Sequence, residues 1–349
     1  MIRKHFNGYN FVGIPETGVT FRWGDSFSEN PYSAPWPEIA DISISNYCTN
    51  GCEHCYRSSD ENGDFMSVED YRYVLNELSS TNYGKVFQVA LGGGEPLLHP
   101  EFNNILQITR EEFGIIPNYT TCGRFFNREN LDATRKYCGA VAISWDPHRE
   151  SLSLEELSTL GSSLLNEKIR TNIHYVVSEK TLPQSIEILS GKYDEYLKSF
   201  NSIIFLTYKP TGRAVNGDVI KSTDKLKLFL DLVQNPFTCL NIGFDACFVP
   251  VLMKNTKLDK EFLDSCECGF FSVYIDEKMN VKPCSFCNSN VYSYNLKQFN
   301  FEYVWHDLFA NYRSNIYANC KSECRGCTVI SECRGRCPFF DELFLCKFI

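Results

Sequence analysis

From Glu38 onward the chain alternates short apolar, β-branched runs with amphipathic stretches of helical period, and that alternation admits few architectures. It predicts strands over Ile39–Ser45, Val86–Leu91, Ile115–Tyr119, Ala140–Trp145, Thr171–Val177 and Ser202–Leu206. Helices are expected near 67–78, 101–112, 127–137, 153–166 and 182–197, with a last one near 221–233. Strands of nearly unbroken apolar character belong in a parallel sheet covered on both faces. Six strand–helix units therefore predict an α/β fold, a parallel barrel or an open sheet, with ligands at the carboxyl ends of the strands. Upstream, Tyr9 to Trp23 alternates around Pro15-Glu16-Thr17-Gly18 and predicts a small β-hairpin.

The chemically distinctive residues all fall at those carboxyl ends. Cys48, Cys52 and Cys55 follow the first strand, separated by three and then two residues. Three thiolates can hold three irons of a four-iron cubane and leave the fourth iron open to bind and activate a ligand. A zinc knuckle would want a fourth Cys or His, and His54 sits inside the tight loop, where it would have to fold back over the metal. Gly92-Gly93-Gly94-Glu95-Pro96 follows the second strand, Thr120-Thr121-Cys122-Gly123 the third, and Ser144-Trp145-Asp146 closes the fourth. Gly93 and Gly94 allow close backbone approach, and Glu95 offers an acceptor for an ammonium group.

The cysteine loop with its following Tyr56, together with the Gly-Gly-Gly-Glu-Pro run, resembles the core of the radical SAM enzymes. The resemblance covers residues 38–245 and implies a partial (β/α)6 TIM-like barrel. It implies that the open iron is chelated by the amino and carboxylate groups of S-adenosylmethionine, whose cleavage releases a 5′-deoxyadenosyl radical. Carried over to this sequence, it implies cofactor contacts from Tyr56, Gly93, Gly94, Glu95, Thr121, Ser144 and Asp146, with Thr120 beside them. Pro147 replaces the glycine usual after Ser-x-Asp, and Cys122 stands where asparagine is frequent. Lys209-Pro210-Thr211-Gly212-Arg213-Ala214 resembles a Pro-x-Gly-Arg-Ala segment of related enzymes, and reads equally as a loop turn with one solvated arginine.

After Asp245 the pattern changes: helical period fades, cysteines crowd in, and the last stretch reads as loops organised by metal rather than by an apolar core. Cys324-Arg325-Gly326-Cys327 is followed by Cys333, Cys337 and Cys346, and a predicted hairpin over 271–284 delivers Cys284. This arrangement resembles the SPASM domain, an extension that holds two auxiliary four-iron clusters. The resemblance assigns Cys324, Cys327, Cys333 and Cys346 to an outer cluster. It gives Cys268, Cys284 and Cys337 to an inner one, with Cys266 as its fourth ligand. Two four-cysteine zinc sites have the same spacing and remain open on spacing alone. Met279 replaces the family's hairpin glycine. Cys287 and Cys320 lie close enough to serve as alternative ligands, whereas Cys122, Cys138, Cys239 and Cys247 read as core thiols. Interleaved ligands should make this part depend on its metal for folding. The organisation expected is an extension over 1–36, a barrel over 37–245 and a cluster domain over 246–349.

With 349 residues and seventeen cysteines, the chain can bury a full core, and without a signal peptide those thiols read as metal ligands in a reducing cytoplasm. A net charge of −9 argues against a broad nucleic-acid footprint, and no apolar run reaches the length of a membrane span. The C-terminal cations Lys321, Arg325, Arg334 and Arg336 read as balancing thiolate charge.

The resemblance implies an enzyme that modifies a ribosomally made precursor peptide by hydrogen abstraction, forming a C–C, C–O or thioether link. It would use one S-adenosylmethionine-binding and two auxiliary [4Fe-4S] clusters and a low-potential electron donor such as flavodoxin or ferredoxin. Because no winged helix precedes the barrel, leader binding would need a separate protein or the barrel mouth. A sulfatase-maturing enzyme is the alternative, but that chemistry is associated with an acid after the hairpin cysteine, where Ser285 stands. A radical enzyme acting on a small metabolite is the third reading.

Overall fold

The computed structural model describes residues 1–146, 152–318, 324–335 and 337–349; Pro147, Cys320, Lys321 and Arg336 lie outside them. The chain opens with β1 (Ile2–Phe6), β2 (Tyr9–Ile14) and β3 (Val19–Trp23), a three-stranded antiparallel sheet rather than a two-stranded hairpin. Its β2–β3 turn is where the sequence puts it: Gly18 takes φ +73°, and its N–H donates to the Ile14 carbonyl at 2.8 Å.

The six expected strand–helix units follow. β4 (Ile39–Ser45) leads to α1 (Val68–Glu77), which is capped by the Ser67 hydroxyl and buries Tyr71, Val74 and Leu75. A short antiparallel pair, β5 (Ser79–Ser80) and β6 (Gly84–Lys85), leads into β7 (Gln88–Gly93) and α2 (Phe102–Gln107), which widens into a π turn over Ile108–Glu112. Next come β8 (Ile116–Thr121), α3 (Arg128–Tyr137), β9 (Val141–Ser144), α4 (Leu154–Asn166) and β10 (Thr171–Val177). α3 and α4 each start in a capping box, from Asn127 with Asn130 and from Ser153 with Glu156. The helix expected over 182–197 divides into α5 (Leu182–Leu189) and α6 (Asp194–Leu197) around Gly191, whose φ of +79° ends the first. β11 (Ser202–Thr207) and α7 (Thr223–Gln234) complete the units, and β12 (Asn241–Phe244) adds a seventh strand parallel to β11.

The sheet does not stop there. After α8 (Val249–Asn255), β13 (Ser272–Ile275) pairs in parallel with β4, matching Ser272 to Ile39 and Ile275 to Ile42. β14 (Asn280–Lys282) and β15 (Tyr294–Asn295) continue antiparallel, giving one ten-stranded sheet in the order β12-β11-β10-β9-β8-β7-β4-β13-β14-β15. The apolar core continues too. α9 (Phe301–Tyr303), a π turn and α10 (Phe309–Ala318) bury Phe301, Val304, Trp305 and Phe309 in the cluster that contains Ile42 and Val273. This corrects the expectation of a last stretch organised by metal alone: its aromatic residues recur at helical spacing and pack.

Met279, at the hairpin position where glycine is usual, is held at φ +61° and is almost fully buried. Glycine there would relieve about 1 kcal/mol of backbone strain but would remove a packed side chain worth about 2–5 kcal/mol. Met279→Gly is therefore expected to lower stability by about 1–4 kcal/mol, read as a lower melting temperature; a rise would show that strain outweighs packing.

One buried ion group ties the three parts of the chain together. Arg22 on β3 meets Glu38 at 3.1 Å, Asp264 at 2.6 Å and Glu267 at 2.6 Å, lies 3.9 Å over the Phe271 ring, and Tyr9 donates to Glu38 at 2.8 Å. One guanidinium faces three acids. Burial drives the Glu38 carboxyl up to about 7, against the pull of Arg22. The folded chain thus holds a proton on Glu38 that the unfolded chain releases near 4.5, and stability drawn from this group falls as pH rises from 4.5 to about 7. Relative to Glu38→Gln, the wild type should lose on the order of 1–3 kcal/mol across that window. Melting of both proteins at several pH values measures it; parallel curves would refute the assignment.

Candidate active site and cluster sites

The first cysteine loop leaves the carboxyl end of β4 and is fixed from both sides. The Asn46 N–H bonds the Asp64 carbonyl at 2.8 Å and the Cys48 N–H bonds the Asp60 carbonyl at 2.9 Å. The Asn50 N–H and Nδ2–H both point at sulfur, 3.5 Å from Cys48 and 3.5 Å from Cys52. From the far side, Arg213 donates through Nε to the Cys52 carbonyl at 2.9 Å and through Nη1 to the Ser59 carbonyl at 2.9 Å, and its N–H bonds the Cys55 carbonyl at 3.0 Å. Gly212, at φ +66°, lies so close that a Cβ would come within 2.4 Å of the Cys55 carbonyl oxygen. Of the two sequence readings of this segment, the structure removes the solvated arginine: Arg213 clamps the cysteine loop.

The glycine run packs on the same loop. A Cβ on Gly93 or Gly94 would fall 2.0 Å from the carbonyl oxygen of Ser45 or Tyr47, whereas one on Gly92 would meet nothing within 4 Å. Two of the three glycines are thus demanded by loop packing, and Gly92 faces open space. Glu95 is buried, and its carboxylate accepts from Thr121 Oγ1 at 2.6 Å, from the Cys122 N–H at 2.8 Å and from the Leu97 N–H at 3.2 Å. It braces the end of β7 against the end of β8, and burial pushes its pKa above the usual carboxylate range while these bonds oppose the shift.

Ser144 ends β9, and Asp146, fully buried, stands 3.4 Å from His54 Nε2. His54 does not fold back over the cysteines. With Asp146, Val176, Ser178, Lys180 and Tyr208 it lines a pocket of about 150 Å³ at the ends of β9, β10 and β11. Tyr56 turns the other way. Its ring lies 4.5 Å from that of Phe286, and burial pushes its phenol up to about 12. Lys209 sits 4.5 Å over the other partner in this stack, Phe286, and is ion-paired to Asp245 at 2.5 Å. The loop also reaches the hairpin through Arg57, which bonds Tyr274 on β13 and pairs with Glu277 in the β13–β14 turn.

The downstream cysteines converge in two sets. Cys268 lies within bonding reach of Cys266 and Cys284, and Cys337 is close to Cys266. Cys346 approaches Cys324, Cys327 and Cys333. Cys266, Cys268, Cys284 and Cys337 are the inner set below, and Cys324, Cys327, Cys333 and Cys346 the outer. Cys247 joins the inner one: it bonds Cys337, whose thiol is drawn down to about 7 by that contact. It is no isolated core thiol. Cys287 is buried beside Cys284 and donates to the Ser289 carbonyl at 3.7 Å. Arg334 donates to the Cys266 and Tyr32 carbonyls at 3.0 and 2.7 Å.

All three sets suit iron–sulfur ligation. Each receives a backbone N–H on sulfur: Asn50 to Cys48 at 3.5 Å, Phe286 to Cys284 at 3.4 Å and Gly335 to Cys333 at 3.3 Å. Among the described residues no three Cys, His, Asp or Glu side chains converge tightly enough to hold a single metal ion. A cubane, whose thiolates sit at separate corners, asks for wider spacing than one ion does.

Residues 42–146 match the model of the radical SAM superfamily. The fold resembles Streptococcus suis SuiB bound to S-adenosylmethionine, with TM-score 0.67 and 18% identity over 87% of this chain and 73% of that one. SuiB bound to its precursor peptide SuiA gives TM-score 0.67 and 19% identity over 87% and 72%. The protein anSMEcpe, with AdoMet and the Cp18Cys peptide, gives 0.62 and 16% over 86% and 89%. No curated protein matches the chain.

Arg213→Lys keeps the charge but cannot reach two diverging carbonyls, a loss of roughly 1.5–3 kcal/mol for each charged hydrogen bond. The variant is expected to reconstitute with less iron at Cys48, Cys52 and Cys55 and normal iron downstream. Electron paramagnetic resonance with and without S-adenosylmethionine separates the sites; unchanged occupancy would contradict the clamp.

Proposed function

Because residues 42–146 carry a radical SAM domain, we propose that this chain is a maturase that binds S-adenosylmethionine and modifies a ribosomally made peptide by hydrogen abstraction. The observation that supports the reading is that each of the three cysteine sets has a backbone N–H on sulfur, with the first loop and the inner set joined by the Tyr56–Phe286 contact. When bound, a cluster on Cys48, Cys52 and Cys55 supplies the electron for reductive cleavage of S-adenosylmethionine. The chain's own residues hold and orient. Gly92 leaves the turn open on one side, and the second Glu95 oxygen keeps capacity to accept from an ammonium group. Asp146 and His54 line the pocket assigned to the adenosyl part, with Ser144 at the end of β9 and Thr120 and Thr121 at the adjoining end of β8. Tyr56, Phe286 and Lys209 fill the space toward the inner set and exclude water there.

Two auxiliary clusters, on Cys266, Cys268, Cys284 and Cys337 and on Cys324, Cys327, Cys333 and Cys346, belong to the same proposal. They suit an oxidative modification, in which an electron must leave after the new bond forms. A peptide substrate is supported by the likeness to SuiB with its precursor peptide and to anSMEcpe with a bound peptide. A low-potential donor such as flavodoxin or ferredoxin and a separate leader-binding protein complete the expected partners. The division at residues 36 and 245 is retained as our organisation of the chain, although the sheet runs across the second boundary. Among the described residues no helix is long and apolar enough to cross a membrane.

The test is anaerobic incubation with S-adenosylmethionine, a reductant and the peptide encoded beside the gene. The product peptide should be lighter by about two hydrogens, as one oxidative cross-link requires, with 5′-deoxyadenosine formed in proportion. The variant Cys48→Ala, Cys52→Ala, Cys55→Ala should lose all cleavage while keeping its downstream iron. Formylglycine on a sulfatase peptide would favour the alternative reading, and an unmodified peptide beside an altered metabolite would overturn the proposal.

A further inference from the structure

Tyr312 lies on α10, and its ring is wedged beside the inner cysteine set. A Cβ on Gly269, next in sequence to Cys268, would fall 2.7 Å from the Tyr312 ring and 3.4 Å from Pro283, which precedes Cys284. Phe270, Tyr292, Phe309 and Phe339 surround the ring with centroids 5.1–6.3 Å away, so it cannot swing out. The residue is 1% exposed, yet among the described residues its hydroxyl finds no hydrogen-bond partner. Burial pushes the phenol's pKa well above its usual value, and Cys266, Cys268, Cys284 and Cys337 push it the same way. Together with Cys337, Tyr312 lines a cavity of about 610 Å³.

An unpaired buried hydroxyl costs about 1–3 kcal/mol, and phenylalanine would fit among these aromatic rings without that cost. We infer that the Tyr312 hydroxyl donates a hydrogen bond to a sulfur of the inner auxiliary cluster and raises that cluster's reduction potential. The inference rests on the inner set holding a cluster, as proposed above. A donor aimed at sulfur stabilises the reduced, more negative cluster over the oxidised one, as hydrogen bonds to cluster sulfurs generally do. Tyr312 is then a tuning residue: it makes electron uptake by the inner cluster easier and touches neither substrate nor S-adenosylmethionine.

Tyr312→Phe removes only the hydroxyl. The experiment is potentiometric titration of the reconstituted full chain followed by electron paramagnetic resonance, with Cys268→Ala identifying the inner signal. Tyr312→Phe should keep its full iron content and shift the inner midpoint to lower potential, leaving the other two midpoints in place. In D2O, the inner signal should also lose one exchangeable-deuteron coupling relative to wild type. An unmoved inner midpoint with that coupling retained would overturn the inference, and so would selective loss of inner-cluster iron, which would make the hydroxyl structural. If the wild type itself shows no inner signal, it is the cluster assignment that fails, and this is visible before any Tyr312 variant is compared.

Discussion

The parallel register between β4 and β13 is the constraint on which the rest depends. β4 runs into the first cysteine loop, while β13 runs into the hairpin that carries Cys284, and Ser272 through Ile275 lie beside Ile39 through Ile42. Because the strands are parallel, both delivering ends emerge on the same edge of the sheet. Backbone hydrogen bonds between strands about 4.8 Å apart, and not flexible side chains, therefore set how far the first thiolates stand from the inner set. A slip of one residue would turn Val273 and Ile275 out of the core, so the apolar pattern locks the register. Arg57, pairing with Glu277 and bonding Tyr274, fastens the same junction above the sheet.

Charge around the thiols is handled locally. Lys209 brings a cation to the inner set, but Asp245 accompanies it, so the pair is close to neutral and can stay buried. Arg213 and Arg334 spend their donors on carbonyls of the cysteine segments and act as braces more than as counter-ions. The compensation expected from a C-terminal basic patch falls only partly within the described residues, where Arg325 is exposed and Arg334 is engaged.

The sequence was most legible where periodicity and local chemistry agree. β4 and β10 have the predicted limits, and the motifs at strand ends stand where the alternation of strand and helix requires them. β7 begins and ends two residues later than predicted, because the glycines look like a turn but still pair with β4 as far as Gly93. What stayed hidden is non-local. Nothing near Ser272 announces that its partner is Ile39, and nothing near Arg213 says that it faces Cys52. Cys247 looked like a core thiol because its neighbour Cys337 is distant in sequence. The helical run from Phe301 to Tyr312 is marked by apolar residues that recur at three and four, although it lies between two cysteine-rich stretches whose spacing points to metal.

The two auxiliary sets share one short segment, with Cys333 turned to the outer set and Cys337, four residues on, to the inner. Just after Cys333, Arg334 and Gly335 take left-handed conformations that turn the chain sharply. Under the proposed cluster assignment, a ligand lost from one set would lie only four residues from a ligand of the other. The first cysteine loop, clamped by Arg213, shares no chain segment with them and meets the inner set only through side chains such as Arg57 and Tyr56. Under that assignment, repair after oxidation would meet the first site as a loop held by its own clamp and the two downstream sites as neighbours along one stretch of chain.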